Sequence, residues 1–120
     1  MRIWHEDLLH RLCWKHLNAV WREALGCFNI LIFKRKGYSH HQQVKQYEFD
    51  ILGLLWMLCR IRQERLRRGY KAKEIFDSEE KWEAYWKLRT DQAGWGFEQP
   101  WQTLEQQIEI LKNKNCGCKV

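Results

Sequence analysis

Between Trp14 and Phe33 the chain sets Leu17, Val20, Trp21, Ala24, Phe28 and Leu31 at helical spacing, one broad apolar stripe. That stripe commits the segment to an amphipathic helix with a core to cover. A second apolar run, "ILGLLWMLC" from Ile51 to Cys59, leads into an arginine-rich stretch that closes on Arg67, Arg68 and Gly69, a good helix ending. One proline and seven glycines in 120 residues leave long helices room to form, and no segment alternates as a strand does. Eight tryptophans and 45% hydrophobic residues speak against disorder, and this length buries a core without staples. The expected fold is all-α, a compact single domain of three to five helices spanning residues 1–120.

Local signals punctuate that plan. "KRKG", Lys34 to Gly37, reads as a basic exit from the first helix with a glycine stop. Ser39 is a plausible N-cap for the long second helix, although the break can extend to Asp50, and Gly53 suggests close helix packing. "DSEEKWEAYWKLR" opens with a capping signature, Asp77 followed three residues later by Glu80. Pro100 suits a first turn, with Leu104, Ile108 and Leu111 on one face behind it, and "TDQAGWGFEQ" reads as the loop between these helices.

The run from Ile51 to Cys59 is about half of a membrane span. Charges at Arg2, Glu6 and Asp7 leave no apolar signal-peptide region, so a soluble, cytoplasmic protein is expected. Twenty-one Lys and Arg against fifteen Asp and Glu give a net charge of +6, which suits nucleic acid first and an acidic membrane surface second. Cys13, Cys27 and Cys59 fall in apolar helical patterns and read as buried free thiols. Cys116 and Cys118 can supply half of a soft-metal site, but "CGC" is narrower than the usual ligand loop. The adjacent His40 and His41 have no well-spaced carboxylate or cysteine partner, so DNA or structural roles outrank metal ligation. No metal site and no cofactor are expected. Phosphate loops, nucleophile-elbow serines and zinc signatures are missing, which argues against nucleotide-hydrolysing and metal-dependent enzymes.

The stretch "HLNAVWREALG" places a histidine and a glutamate seven apart, with an arginine beside the glutamate. On a helical wheel His16 and Glu23 differ by about 20° in azimuth, two turns apart. They sit at the margin of the apolar stripe, with Ala19 and Gly26 offering little bulk along the same line. Arg22 points to the polar side near Lys15 and Asn18. By itself the strip also fits an ordinary amphipathic helix with a solvated or arginine-paired glutamate.

"MRIW", "HLNAVWRE", "GYSHHQQV" and "RRGY" together resemble the pyrimidine-dimer DNA glycosylase family, the phage endonuclease V type and its bacterial relatives. The resemblance covers about the first seventy residues and leaves the last fifty unmatched. It implies an all-α, metal-independent enzyme acting on damaged double-stranded DNA as a monomer. In that family the α-amine of the first residue attacks the sugar C1′ and expels the base. The resulting imine then undergoes β-elimination, with a carboxylate on the first helix as the acid/base group. An α-amine suits this role because its pKa of about 7.7–8.0 leaves a tenth or so as free nucleophile at neutral pH, far more than lysine does.

Carried over by position, the resemblance makes Met1 the nucleophile and Glu23 the catalytic carboxylate, with Arg22 a phosphate clamp and Arg2 a DNA contact beside the reacting sugar. The phage pattern places a small residue after a removed methionine. Here Arg2 follows Met1, so Met1 is expected to be retained and to offer its own amine. His16 is expected to orient Glu23 or touch DNA. Gly26 stands where the phage pattern has a further arginine, so phosphate contacts fall to Lys34, Arg35 and Lys36, with His40 and His41 nearby.

The phage enzyme's aromatic tail has no counterpart in "KNKNCGCKV". Trp82, Tyr85, Trp86, Trp95, Phe97 and Trp101 are candidates to stack on bases, with core packing the default. Arg60, Arg62, Arg65, Arg67 and Arg68 either track phosphates or pair with Glu64 and neighbouring acids. The alternative function is a catalytically silent, helical nucleic-acid-binding protein on the same scaffold. A helical protein-interaction module is a further rival.

Overall fold

A computed structural model describes residues 6–34, 42–92, 104–113 and 118. Helices α1 (Trp14–Ile32), α2 (Gln42–Gln46), α3 (Ile51–Arg67), α4 (Glu79–Asp91) and α5 (Leu104–Lys112) follow a 3-10 turn at Glu6–Arg11, and no strand occurs among the described residues. The two apolar stripes meet as α1 packs along α3. Leu17, Val20, Ala24 and Phe28 of α1 and Leu54, Leu58 and Ile61 of α3 are sealed from solvent. Helix α4 leans on both, α2 covers α1, and the 3-10 turn closes over α3 through Leu8, Leu9 and Leu12. Leu111 of α5 completes the same core. No helix among the described residues is long and apolar enough to cross a membrane.

The helix ends show where sequence signals compete. Helix α1 stops at Ile32, before Gly37, with the Phe33 N–H bonded to the Asn29 carbonyl and Lys34 in the left-handed region at φ 51°. A lysine thus occupies the position that usually selects glycine. Asp50 caps α3, its carboxylate accepting from the Gly53 N–H at 3.0 Å. Gly53 therefore serves the cap, not helix packing, because a Cβ there would collide with the Asp50 carboxylate. Ser39 lies outside the described residues.

At the far end of α3, Tyr70 N–H reaches the Arg65 carbonyl and Gly69 N–H the Leu66 carbonyl, both at 2.9 Å, with Gly69 at φ 80°. That pair of bonds is a Schellman ending, which needs the left-handed residue. Helix α4 is capped by Ser78, not Asp77: the Ser78 hydroxyl accepts the Lys81 N–H at 3.2 Å. Asp77 instead pairs with the Lys81 ammonium at 4.0 Å. Two adjacent residues of equal capping preference compete here, and the later one puts Glu79 and Glu80 in the first turn, where the helix dipole favours acids.

The thiols do not share one environment. Cys27 is buried, Cys13 half-buried and Cys59 exposed, which corrects the expectation that all three are buried. The α4 aromatics divide as well. Tyr85 is buried and stacks on Phe28, whereas Trp82 and Trp86 stay about half exposed, packed edge-on against Phe76 and Tyr85. Trp95, Phe97, Trp101 and Pro100 lie outside the described residues.

Candidate active site

Helix α1 positions the candidate residues because its buried arc is narrower than its circumference. Leu17, Val20, Trp21, Ala24, Phe28 and Leu31 take the core side, leaving an open arc of more than half a turn. Glu23 lies on one flank of that arc, half-buried, beside half-buried Ala19 and exposed Gly26. Among the described residues a Cβ added at Gly26 would meet nothing within 4 Å, so the strip is open at that point. Among the described residues the Glu23 carboxylate has no hydrogen-bond or ion-pair partner. One turn later the Cys27 thiol is pushed up to about 12, by burial first and by the Glu23 charge second. A carboxylate at the edge of a core, open on one side, can accept and return a proton to a bound substrate.

Arg22 is exposed on the other flank, about 100° round the helix from Glu23. It lines a groove of about 540 Å³ with Trp14, Lys15, Asn18, Trp21 and Arg65. Trp14 is 59% exposed there, with the Lys15 ammonium 5.8 Å from its ring. Arg65 of α3 forms the groove's far wall. Its guanidinium sits 5.9 Å from the Trp21 ring and 5.8 Å from the Tyr70 ring, and donates to Asn18 Oδ1 and to the Lys71 carbonyl. Cations interleaved with aromatic faces suit a phosphate backbone and its bases. Lys15, Asn18 and Arg22 were legible as neighbours from spacing. Trp14, Trp21 and Arg65 were not assigned to the groove, because the helical stripe marks Trp21 as core and only tertiary packing brings Arg65 opposite.

His16 shares the Glu23 flank but lies two turns away, about 10 Å along the axis. Its Nδ1 is turned to sulfur, 3.3 Å from Cys13 Sγ and 3.1 Å from Cys118 Sγ. The role of orienting Glu23 therefore does not fit this geometry. Lys34 is exposed and pairs with exposed Asp91 at 3.9 Å, a solvated contact of the kind that contributes little and exchanges readily. Met1, Arg2, Arg35, Lys36, His40, His41 and Cys116 lie outside the described residues.

The arginines late in α3 are largely structural. Arg62 pairs with Glu74 at 3.0 Å, and Arg67 and Arg68 both approach buried Glu64. Arg68 also donates to the carbonyls of Leu9 and His10, holding the 3-10 turn against α3.

No curated protein and no solved structure gives a significant match to this chain. The family model described as pyrimidine dimer DNA glycosylase matches residues 1–78, from the N-terminus through α1 and α3 to the start of α4. That span covers well over half of the 120 residues and contains both flanks of the α1 site. The chain belongs to the pyrimidine dimer DNA glycosylase family.

Proposed function

We propose that this protein is a DNA repair glycosylase with coupled abasic-site lyase activity, acting on pyrimidine dimers in double-stranded DNA. The observation that carries the reading is the family match over residues 1–78, which takes in Met1, Arg2, Arg22 and Glu23. The free amine of Met1 adds to the sugar C1′ as the C1′–N bond to the base breaks. The nitrogen loses its proton and the base departs with one. The C1′–O4′ bond then opens, with O4′ taking a proton, as the nitrogen lone pair forms the C1′=N bond of an iminium, which acidifies the C2′ proton. Glu23 moves these protons, and removal of the C2′ proton expels the 3′ phosphate and cuts the strand. None of these steps uses a metal.

Glu23 suits the acid/base role through its half-buried position and open side. Arg22 and the cationic groove supply phosphate contacts, and the family resemblance carries Arg2, Lys34, Arg35, Lys36, His40, His41 and His16 as further candidate DNA contacts. The protein works as a monomer in the cytoplasm, on the nucleoid in a bacterial host.

Borohydride trapping tests the chemistry. Protein whose free N-terminus is established by mass spectrometry is incubated with duplexes carrying an abasic site, a cyclobutane pyrimidine dimer or no lesion. The expected result is a covalent adduct mapped to Met1 on the damaged duplexes only, with the dimer losing one glycosidic bond before strand cleavage while the detached pyrimidine stays joined to its neighbour through the cyclobutane ring. Glu23→Gln should abolish turnover while retaining DNA binding. Binding without an adduct on either lesion would instead identify a silent nucleic-acid-binding scaffold.

A further inference from the structure

The described chain ends where it began its first long helix. Cys118 Sγ accepts the backbone N–H of Cys13 at 3.1 Å, joining residues 105 positions apart. The same sulfur lies 3.1 Å from His16 Nδ1, and Cys13 Sγ lies 3.3 Å from that nitrogen. The three ligand atoms all fall within 4.8 Å of one another, and all three residues are half-buried.

Hydrogen bonding accounts for only part of this cluster. An imidazole Nδ1 carries either one hydrogen or one lone pair, so it bonds to one sulfur, not two. Here it faces both. A single cation at their common focus accounts for all three donors at once. Zinc bound tetrahedrally at about 2.3 Å from sulfur and 2.0–2.1 Å from nitrogen sets nitrogen and sulfur about 3.5 Å apart. The observed separations lie within roughly 0.5 Å of that value, a change small side-chain rotations can supply.

Local structure favours the same assignment. Cys13 is the N-cap of α1 and His16 stands three residues on, so one helical turn presents both ligands. The Cys13 N–H has no intrahelical acceptor, and its bond to Cys118 Sγ is the outer-shell contact that supports a metal-bound thiolate. Cys13 and Cys118 are both free thiols, not a disulfide. The chain thus holds two soft donors and one borderline donor, the set that selects zinc-class ions over magnesium or calcium.

We propose that Cys13, His16 and Cys118 form a zinc-binding clasp that fastens the C-terminal segment to the start of α1. Binding displaces one proton from each thiol, leaving two thiolates and a neutral imidazole on the cation, with a fourth position for water. The ion is structural. It sits at the N-terminal end of the helix that carries Arg22 and Glu23, and the clasp stands whether or not the proposed DNA chemistry does.

The test uses the full chain purified under reducing conditions, with metal content measured by mass spectrometry after dialysis. Wild type and the control Cys59→Ser should each retain about one zinc per chain, and Cys118→Ser should retain about tenfold less or lower. Cobalt-loaded wild type should show thiolate-to-metal charge transfer and the visible bands of tetrahedral cobalt, both lost in Cys118→Ser. A chelator should lower the Tm of wild type and leave that of Cys118→Ser unchanged, since a ligand stabilises only a protein that binds it. Circular dichroism checks that Cys118→Ser keeps its helices. Metal-free wild type with no cobalt spectrum, a Cys13–Cys118 disulfide in the reduced preparation, or undiminished zinc in Cys118→Ser would each overturn the proposal.

Discussion

Glu64→Gln should destabilise the fold by about 2 kcal/mol at neutral pH, and the deficit should vanish in acid. Glu64 is only 7% exposed, yet it is the hub of the junction between α3 and the 3-10 turn. Arg67 donates to it from Nε at 2.7 Å and from Nη2 at 2.6 Å, and Arg68 Nε stands 3.8 Å away. Hydrogen bonds between charged groups contribute about 1.5–3 kcal/mol each. Two of them would suggest more than the figure given, but Arg67 is largely exposed and water replaces part of what it loses, so about 2 kcal/mol is expected. Glutamine keeps the volume and one acceptor, and it turns an amide N–H toward a guanidinium.

The pH dependence follows from the direction of the Glu64 shift. Its carboxyl is held below the ordinary value of 4.5, chiefly by the Arg67 hydrogen bond, with the Arg67, Arg68 and His10 charges adding and burial opposing. The native state therefore binds this proton more weakly than the unfolded chain. The stabilisation is complete above 4.5 and is lost as pH falls through the lower native value. Urea unfolding of wild type and Glu64→Gln along a descending pH series reads this directly. The two curves should converge in acid. Equal stability at neutral pH, or a gap that persists unchanged at the acidic end, would refute the assignment of Glu64 as a charged hub.

Gly69→Ala should cost about 1–2 kcal/mol in thermal or urea unfolding, because the Schellman ending holds that residue at φ 80°. In native protein Cys59 should react with a maleimide while Cys27, buried and pushed up to about 12, stays unmodified until denaturant is added, as peptide mapping would show. Arg22→Ala should weaken duplex DNA binding and reduce the slope of log affinity against log salt by about one, whereas Trp14→Ala should weaken binding with the slope unchanged. Fluorescence anisotropy over a salt series separates those two outcomes.

The fold was legible where one force dominates. The apolar stripe from Leu17 to Leu31 defined α1 to within a residue, and Arg67, Arg68 and Gly69 marked the end of α3, because burial and left-handed backbone geometry leave little choice. Ends settled by near-equal competitors were not legible. Asp77 and Ser78 are both good caps, and Lys34 ends α1 although Gly37 follows three residues later. The 3-10 turn escaped notice because Leu8, Leu9 and Leu12 are too few to show a period. Of the site, the α1 pattern held Arg22 and Glu23 in view. The sulfur environment of His16 did not show, since it depends on a residue more than a hundred positions away.

The two flanks of α1 also bear on the size of the substrate. Arg22 and Glu23 are adjacent in sequence, but successive residues diverge by about 100°, and at about 5–6 Å from the axis their side-chain ends lie about 8–9 Å apart. One small anion cannot touch both. A polymer laid across the open arc can, with a phosphate on the cationic groove and the reacting sugar at the carboxylate. The helical backbone fixes that angular offset, and the buried Leu17, Val20 and Phe28 fix the direction in which each flank faces. On the proposed reading, backbone contact on one flank and proton transfer on the other are held at a set offset by a single helix, an arrangement that suits a strand better than a free nucleotide.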